Sequence, residues 1–220
     1  MAPKAGAIPT SEADHRIATN LTLLAGLVRM QGAGIGRKGK TYTAAETHFL
    51  LDGIAARISM IAQIHQRFSG SPEGNVVALG SHLHEICDGF VAAFSSERQP
   101  VQVDYRCGEC LVPARYIQSL TLIASEILLN ALKYAHPAGA PLRLGVACEE
   151  RKGSLVLTID DDGVGLPEGF DPAKDGDFGF RVIRRLCNDL GAALNVQSSS
   201  LGTSFEITAW GIPVASAQTA

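Results

Sequence analysis

Residues 155–167 read LVLTIDDDGVGLP, an apolar, β-branched run that passes straight into carboxylates and then into closely spaced glycines. The run from Leu155 to Asp160 predicts a strand. A carboxylate at a strand end can accept a hydrogen bond from a ligand amino group. Gly163 and Gly165 let backbone approach a ligand and take up dihedrals closed to other residues. The stretch reads as the floor of a pocket, with a tight acidic turn as the alternative.

Upstream, a helix is predicted from Pro113 to about Ala135. On it Glu126, Asn130 and Lys133 follow at spacings of four and three and so share a face, while Leu122, Ile123, Ile127, Leu128 and Leu132 occupy the others. A carboxylate, an amide and an ammonium in one row can hold magnesium, its water and a phosphate; a solvated helix face is the alternative. Downstream, Gly176 and Gly179 flank Asp177 and Phe178 at the start of a helix, where free N–H groups favour an anion, and Gly202-Thr203 precedes the last strand. The surrounding pattern predicts helices at Val77–Phe94 and Gly179–Leu190. Strands are predicted at Val101–Tyr105, Leu142–Cys148, Ala193–Gln197 and Ser204–Trp210. A run of antiparallel strands with helices gathered on one face makes residues 76–212 an α/β sandwich.

The N-terminal part follows a different period. Ile17, Leu21, Leu24 and Val28 mark the seam of a bundle helix from about Glu12 to Gln31, with Thr10 and Ser11 as N-cap candidates and GAGIGRKGK closing it. A second helix, Ala44–Phe68, places Leu51, Ile54, Ile58, Ile61, Ile64 and Phe68 along one face. Such a hairpin cannot cover its own seam, and pairing two hairpins into a four-helix bundle does so; a homodimer is expected, with a hairpin folded back on its own chain as the alternative. The expected organisation is a flexible tail at 1–11, the hairpin at 12–68, a linker at 69–75 (SGSPEGN from Ser69), the α/β sandwich, and a flexible tail at 213–220. The fold class is thus α plus α+β.

Composition narrows the function. In 220 residues, 19 Lys and Arg stand against 22 Asp and Glu, a formal charge of -3 that does not suit non-specific nucleic-acid binding. No run approaches the roughly 20 apolar residues of a membrane span, and MAPKAGAIPTSEADHR lacks a secretory apolar core, so a cytoplasmic protein without membrane insertion is expected. Five cysteines are an odd number for a disulfide framework and read as reduced thiols. Cys107-Gly108-Glu109-Cys110 lacks the second ligand pair of a zinc site and reads as a turn with two thiols. His48, His65, His82 and His84 form no metal-ligand pattern, and His82 and His84 fall on different faces of their helix. There is no Walker A sequence.

Taken in order, these motifs resemble a known pair of domains. Residues 75–210 are similar to the GHKL (Bergerat-type) ATP-binding domain shared by sensor histidine kinases, gyrase, one class of heat-shock chaperone and mismatch-repair ATPases. SEILLNALKYA matches its asparagine-bearing helix, DDGVGLP its adenine-binding turn, DFGFRVIRRL its second glycine box and GTSF its closing strand. Residues 12–68 resemble the dimerisation and phosphoacceptor hairpin of HisKA_2-type histidine kinases through DHRIATNLTLLAGLVRMQ and RISMIAQIHQRF. The resemblance implies His15 as phosphoacceptor, one ring nitrogen attacking the terminal phosphoryl group while the other gives its proton to a carboxylate, with adjacent Asp14 available for that task. It implies Asn130 for magnesium and phosphate, Glu126 for the metal's water shell or proton transfer, Lys133 for phosphate charge, and Asp161 for the adenine amino group. Gly163, Gly165 and Gly179 would supply backbone to the nucleotide, and Thr203 would support adenine through Asp161 or a water. ATP and Mg2+ are the implied cofactors. Phosphoryl transfer rests on positioning and charge neutralisation, which suits so dispersed a set.

Three features depart from the pattern. Asp177 stands in the second glycine box where the family has a small or hydroxylated residue, and Thr19 replaces the first of two asparagines one turn beyond His15, where a hydroxyl can orient a hydrolytic water. Only 11 residues precede the first helix, so a separate sensory protein or a missing sensor domain is expected. The resulting expectation is a two-component histidine kinase that passes phosphate from His15 to an aspartate on a response regulator and can also act as its phosphatase. The alternative is a non-enzymatic phosphotransfer or scaffold protein with a degenerate ATP-binding domain.

Overall fold

The computed structural model describes residues 25–26, 28–29, 43–68, 75–97, 99–136, 139–172, 174–176 and 178–216. The chain divides into two units, 1–71 and 72–220. The expected tail at 1–11 lies outside the described residues, as does the linker apart from Asn75; of the first predicted helix only residues 25, 26, 28 and 29 are described, all helical.

In the first unit, helix α1 runs Ala44–Phe68. Its start is set by a reciprocal cap that joins Thr43 and Glu46. The Glu46 N–H donates to Thr43 Oγ1 at 3.1 Å and the Thr43 N–H donates to Glu46 Oε2 at 2.9 Å, which satisfies two otherwise orphaned donors. Along α1, Gly53, Arg57, Met60 and Ile61 are buried, while Leu51 and Ile58 are 58% and 47% exposed.

The second unit begins with strand β1 (Val76–Ala78) and helix α2 (Leu79–Phe94), followed by β2 (Val101–Cys107), β3 (Cys110–Pro113) and helix α3 (Ala114–Tyr134). Then come β4 (Leu142–Arg151), β5 (Ser154–Asp161), helix α4 (Phe178–Asp189), β6 (Ala192–Ser199), β7 (Gly202–Ala209) and the short β8 (Ala215–Ser216). Five strands form the main sheet in the order β2-β4-β5-β7-β6, and β1-β3-β8 form a small antiparallel one. Alternate residues of β7 (Thr203, Phe205, Ile207, Ala209) are buried, the period of a strand with one covered face. The core is Leu79 and Leu83 of α2, Ile117, Leu120, Ile123, Ile127 and Leu128 of α3 and Ile183 of α4, with Leu142, Leu157 and Ile159 of the sheet.

Four expectations are corrected. The main sheet is mixed, since β2 and β4 pair in parallel; the connection between them contains α3, and a helical crossover returns the chain to the same end of the sheet. The helix expected from Val77 begins at Leu79, because Val76–Ala78 are drawn into pairing with β3. Cys110 is no longer part of a turn but opens β3. The C-terminal tail expected from residue 213 contains β8, whose Ala215 and Ser216 pair with Leu111 and Cys110. Strands of two to four residues carry too little sequence period to be seen in advance.

Candidate functional site

The three consecutive aspartates go to three different partners: Asp160 and Asp161 fall on opposite faces of β5, and Asp162 lies just beyond its end. Asp160 takes the Arg106 guanidinium at 3.0 Å. Asp161 pairs in register with Thr203 of β7. Its Oδ1 accepts the Gly163 N–H at 2.9 Å and the Thr203 N–H at 3.3 Å, and Oδ2 takes no hydrogen bond among the described residues. Burial pushes the Asp161 carboxyl above the usual carboxylate range, outweighing those two N–H donors. Asp162 accepts His136 Nε2 and the Arg143 N–H, each at 2.9 Å. Partial burial opposes its ionisation, but those donors outweigh it and hold the carboxyl below its usual range.

The loop after β5 is held by close backbone approaches. A Cβ at Gly163 would lie 2.4 Å from Ala135 Cα, at the end of α3, and the Val164 N–H donates to the Ala135 carbonyl at 2.9 Å. Gly165 has φ +77°, and a Cβ there would meet the Ser199 carbonyl oxygen at 2.1 Å. The Leu166 N–H donates to Ser198 Oγ at 2.7 Å. The turn is thus wedged between the end of α3 and the β6–β7 hairpin, and only glycine meets both demands.

On α3 the predicted row divides. Glu126 is 1% exposed, which excludes the solvated-face reading. The Asn130 Nδ2 is buried and has no hydrogen-bond partner among the described residues. An unpaired buried amide donor costs about 1–3 kcal/mol, which a bound hydrogen-bond acceptor such as a phosphate oxygen would offset. The carboxylate and amide oxygens of Glu126 and Asn130 are the hard donors that magnesium takes. Lys133 is exposed, its ammonium 4.6 Å from the centroid of the Tyr134 ring. Gly179 is buried in the first turn of α4, which packs beside α3. Thr203 is buried, its Oγ1 3.5 Å from Ser198 Oγ. The structure therefore joins Asp161, Gly163 and Thr203 directly and ties their loop to the helix that carries Glu126 and Asn130. His15, Asp14, Thr19 and Asp177 lie outside the described residues.

Two supports escaped the sequence reading. His136 and Ser198 anchor the two ends of the aspartate–glycine turn, and neither had a local signal; both act through partners 26 and 32 residues distant. Of the other histidines, His82 is buried and bonds Thr121 Oγ1 at 2.8 Å, while His84 is exposed and meets the Tyr105 ring edge-on.

Comparisons with known proteins find relatives for both parts of the chain. Residues 12–94 match a family model described as "Histidine kinase", and residues 116–210 match one described as "Histidine kinase-, DNA gyrase B-, and HSP90-like ATPase". The chain is 27% identical over 201 residues to blue-light-activated histidine kinase 2 of Erythrobacter litoralis, covering 88% of this chain and 54% of that protein. It is 26% identical over 194 residues to the sensor histidine kinase PdtaS of Mycobacterium tuberculosis, covering 86% of this chain and 36% of that one. The chain thus spans about half or less of the length of these relatives. Among solved structures, the histidine kinase domain of the Erythrobacter litoralis EL346 blue-light activated histidine kinase superposes with a TM-score of 0.66 at 25% identity, covering 91% of this chain and 93% of that one.

Proposed function

We propose that this chain, which belongs to the sensor histidine kinases of the HisKA_2 type, autophosphorylates His15 from ATP and passes the phosphoryl group to an aspartate of a response regulator. One observation carries the nucleotide half of this reading: the buried, unpaired amide of Asn130, one helical turn from the fully buried Glu126. In this reading the Asp161 oxygen left without a bond accepts the adenine amino group, and its partner oxygen stays fixed by the Gly163 and Thr203 N–H groups. Glu126 and the Asn130 carbonyl would hold the divalent ion, Mg2+, which would supply neutralisation of phosphate charge. Gly163, Gly165 and Gly179 leave room for backbone to approach the nucleotide, and Lys133 is an exposed cation for the phosphates.

The His15 imidazole then attacks the terminal phosphoryl group through one nitrogen while the other passes its proton to a carboxylate, for which Asp14 is the candidate. A second hairpin from a homodimer covers the apolar residues Leu51 and Ile58 that a single chain leaves exposed. The Thr19 hydroxyl orients the water that removes phosphate from the regulator. The reaction belongs in the cytoplasm, where ATP and response regulators meet.

Labelled ATP and magnesium test the proposal. The expected result is label on the protein that is lost in acid, kept in base, absent from His15→Ala and transferable to a response regulator. An unlabelled or acid-stable product overturns it.

A further inference from the structure

Three of the five free cysteines converge at one corner of the second unit. Cys107, the last residue of β2, stands opposite Cys148 in the parallel ladder with β4, and Cys110 opens β3 three residues after the end of β2. The Cys107 thiol donates to the Val146 carbonyl at 3.7 Å, and the Cys148 thiol donates at 4.0 Å to the carbonyl of Gly108, which lies between Cys107 and Cys110. Adjacent strands lie about 4.8 Å apart, inside the Cα spacing that a disulfide spans.

The surrounding structure gives one of these thiols access and activation. A Cβ at Gly80, in the first turn of α2, would lie 2.8 Å from Cys107 Cβ and 3.7 Å from Cys148 Sγ, so glycine allows the helix N-terminus to rest against the pair. No side chain caps that helix, and its free N–H groups and dipole favour a thiolate. A cavity of about 410 Å³, lined by Ala78, Gly80, His84, Tyr105, Cys107 and Cys110, leads to the corner. Cys107 is half-buried, and Cys110 and Cys148 are buried. Among the described residues no group of three or more His, Cys, Asp and Glu is arranged to hold a metal ion.

We propose that Cys107 and Cys148 form a redox modification site at which a peroxide oxidises the two thiols to a disulfide between β2 and β4. The Cys107 thiolate attacks one oxygen of hydrogen peroxide; the O–O bond breaks, hydroxide leaves and takes up a proton as water, and Cys107 becomes a sulfenic acid. The Cys148 sulfur then displaces the hydroxyl group, the S–S bond forms, and the thiol proton leaves with the oxygen as a second water. Two electrons pass from the sulfurs to the peroxide, and a dithiol reverses the change by exchange.

The other cysteines mark the contrast. The neighbouring Cys148 sulfur draws the Cys107 thiol below its ordinary range against the effect of burial, and the same interaction pushes Cys148 far above its own, so Cys107 is the thiol that ionises to attack the peroxide and Cys148 reacts only afterwards, held beside the sulfenic acid. Burial pushes Cys87 up to about 12 and Cys187 up to about 11, which leaves both unreactive at neutral pH.

The test treats the reduced full chain with equimolar hydrogen peroxide at neutral pH and maps the products by mass spectrometry after cleavage at Glu109, which separates Cys107 from Cys110. The expected product is a Cys107 peptide joined to a Cys148 peptide and released by dithiothreitol. It should persist in Cys110→Ser, and Cys107→Ser should slow peroxide consumption about tenfold. A Cys107–Cys110 bridge, over-oxidised Cys107 without a partner, or equal reactivity of all five cysteines in the wild-type chain would overturn the proposal.

Discussion

Asp161 ties β5 to the following turn and to β7 through one oxygen, and its surroundings pull its proton affinity in opposite directions. Burial dominates, so its folded value lies above the ordinary 3.8. A raised carboxylate value means that the folded state binds the proton more tightly than the unfolded chain does. Below about pH 4 both states are protonated and the group is neutral to stability; as pH rises through the folded value, its ionisation increasingly opposes folding. Asp161→Asn keeps an oxygen for the Gly163 and Thr203 N–H groups and removes that penalty. Thermal unfolding should therefore find the variant at least as stable as the wild type at neutral pH, with any advantage narrowing as pH falls toward 4. Its ADP affinity, measured by calorimetry, should nevertheless fall by about 1–3 kcal/mol, because an amide donor would face the adenine donor. Unchanged affinity would remove Asp161 from the adenine site. The run of three aspartates was legible as an acidic strand end. Which of them does what depends on register with Thr203, Arg106 and His136, residues distant in the chain.

At the scale of elements, α3 and α1 show how differently two helices use their faces. Helix α3 lies against the sheet, α2 and α4, so even Glu126 is buried, and a polar row that looks solvated throughout in sequence is solvated only at Lys133. Asn130→Asp should impair the magnesium-dependent phosphorylation step more than ADP binding, which kinetics and calorimetry on one protein sample separate. The junction of α3 with the turn is sterically closed at Gly163. Gly163→Ala would force a Cβ against the Ala135 backbone and should lower unfolding stability by about 1–3 kcal/mol, read by denaturant titration. On α1, by contrast, Leu51 and Ile58 remain exposed beside the buried Met60 and Ile61. An exposed substitution in a monomer shifts stability by only about 0.5 kcal/mol, so Ile58→Asp should have little effect on folding of one chain. It should instead shift the light-scattering mass from dimer to monomer, and a dimer of unchanged affinity would place the interface elsewhere. The period of α1 was readable from Leu51 to Phe68; the Thr43–Glu46 cap that starts it sharpens a boundary that periodicity alone leaves loose.

At the scale of the whole molecule, the unit 72–220 contains its own sheet, helices and core, and should bind ADP as a monomer when produced alone; light scattering and calorimetry check both halves of that statement. In the full chain, Thr19→Ala should leave autophosphorylation of His15 largely intact and slow loss of phosphate from the regulator, while equal loss of both activities would mark a packing defect. The sequence by itself determined the order of the longer helices and strands of the second unit and the acidic, glycine-bearing turn after β5. Helical and strand periods and the Asp161–Gly165 run are written in neighbouring residues, where local sterics and hydrophobic spacing act. Tertiary structure alone decided the parallel pairing of β2 with β4, the burial of Glu126, the separate partners of Asp160, Asp161 and Asp162, and the meeting of Cys107 with Cys148. Each of these depends on residues far apart in the chain coming to share a register or a face. That choice is made by the collective burial of the core, and no local spacing encodes it.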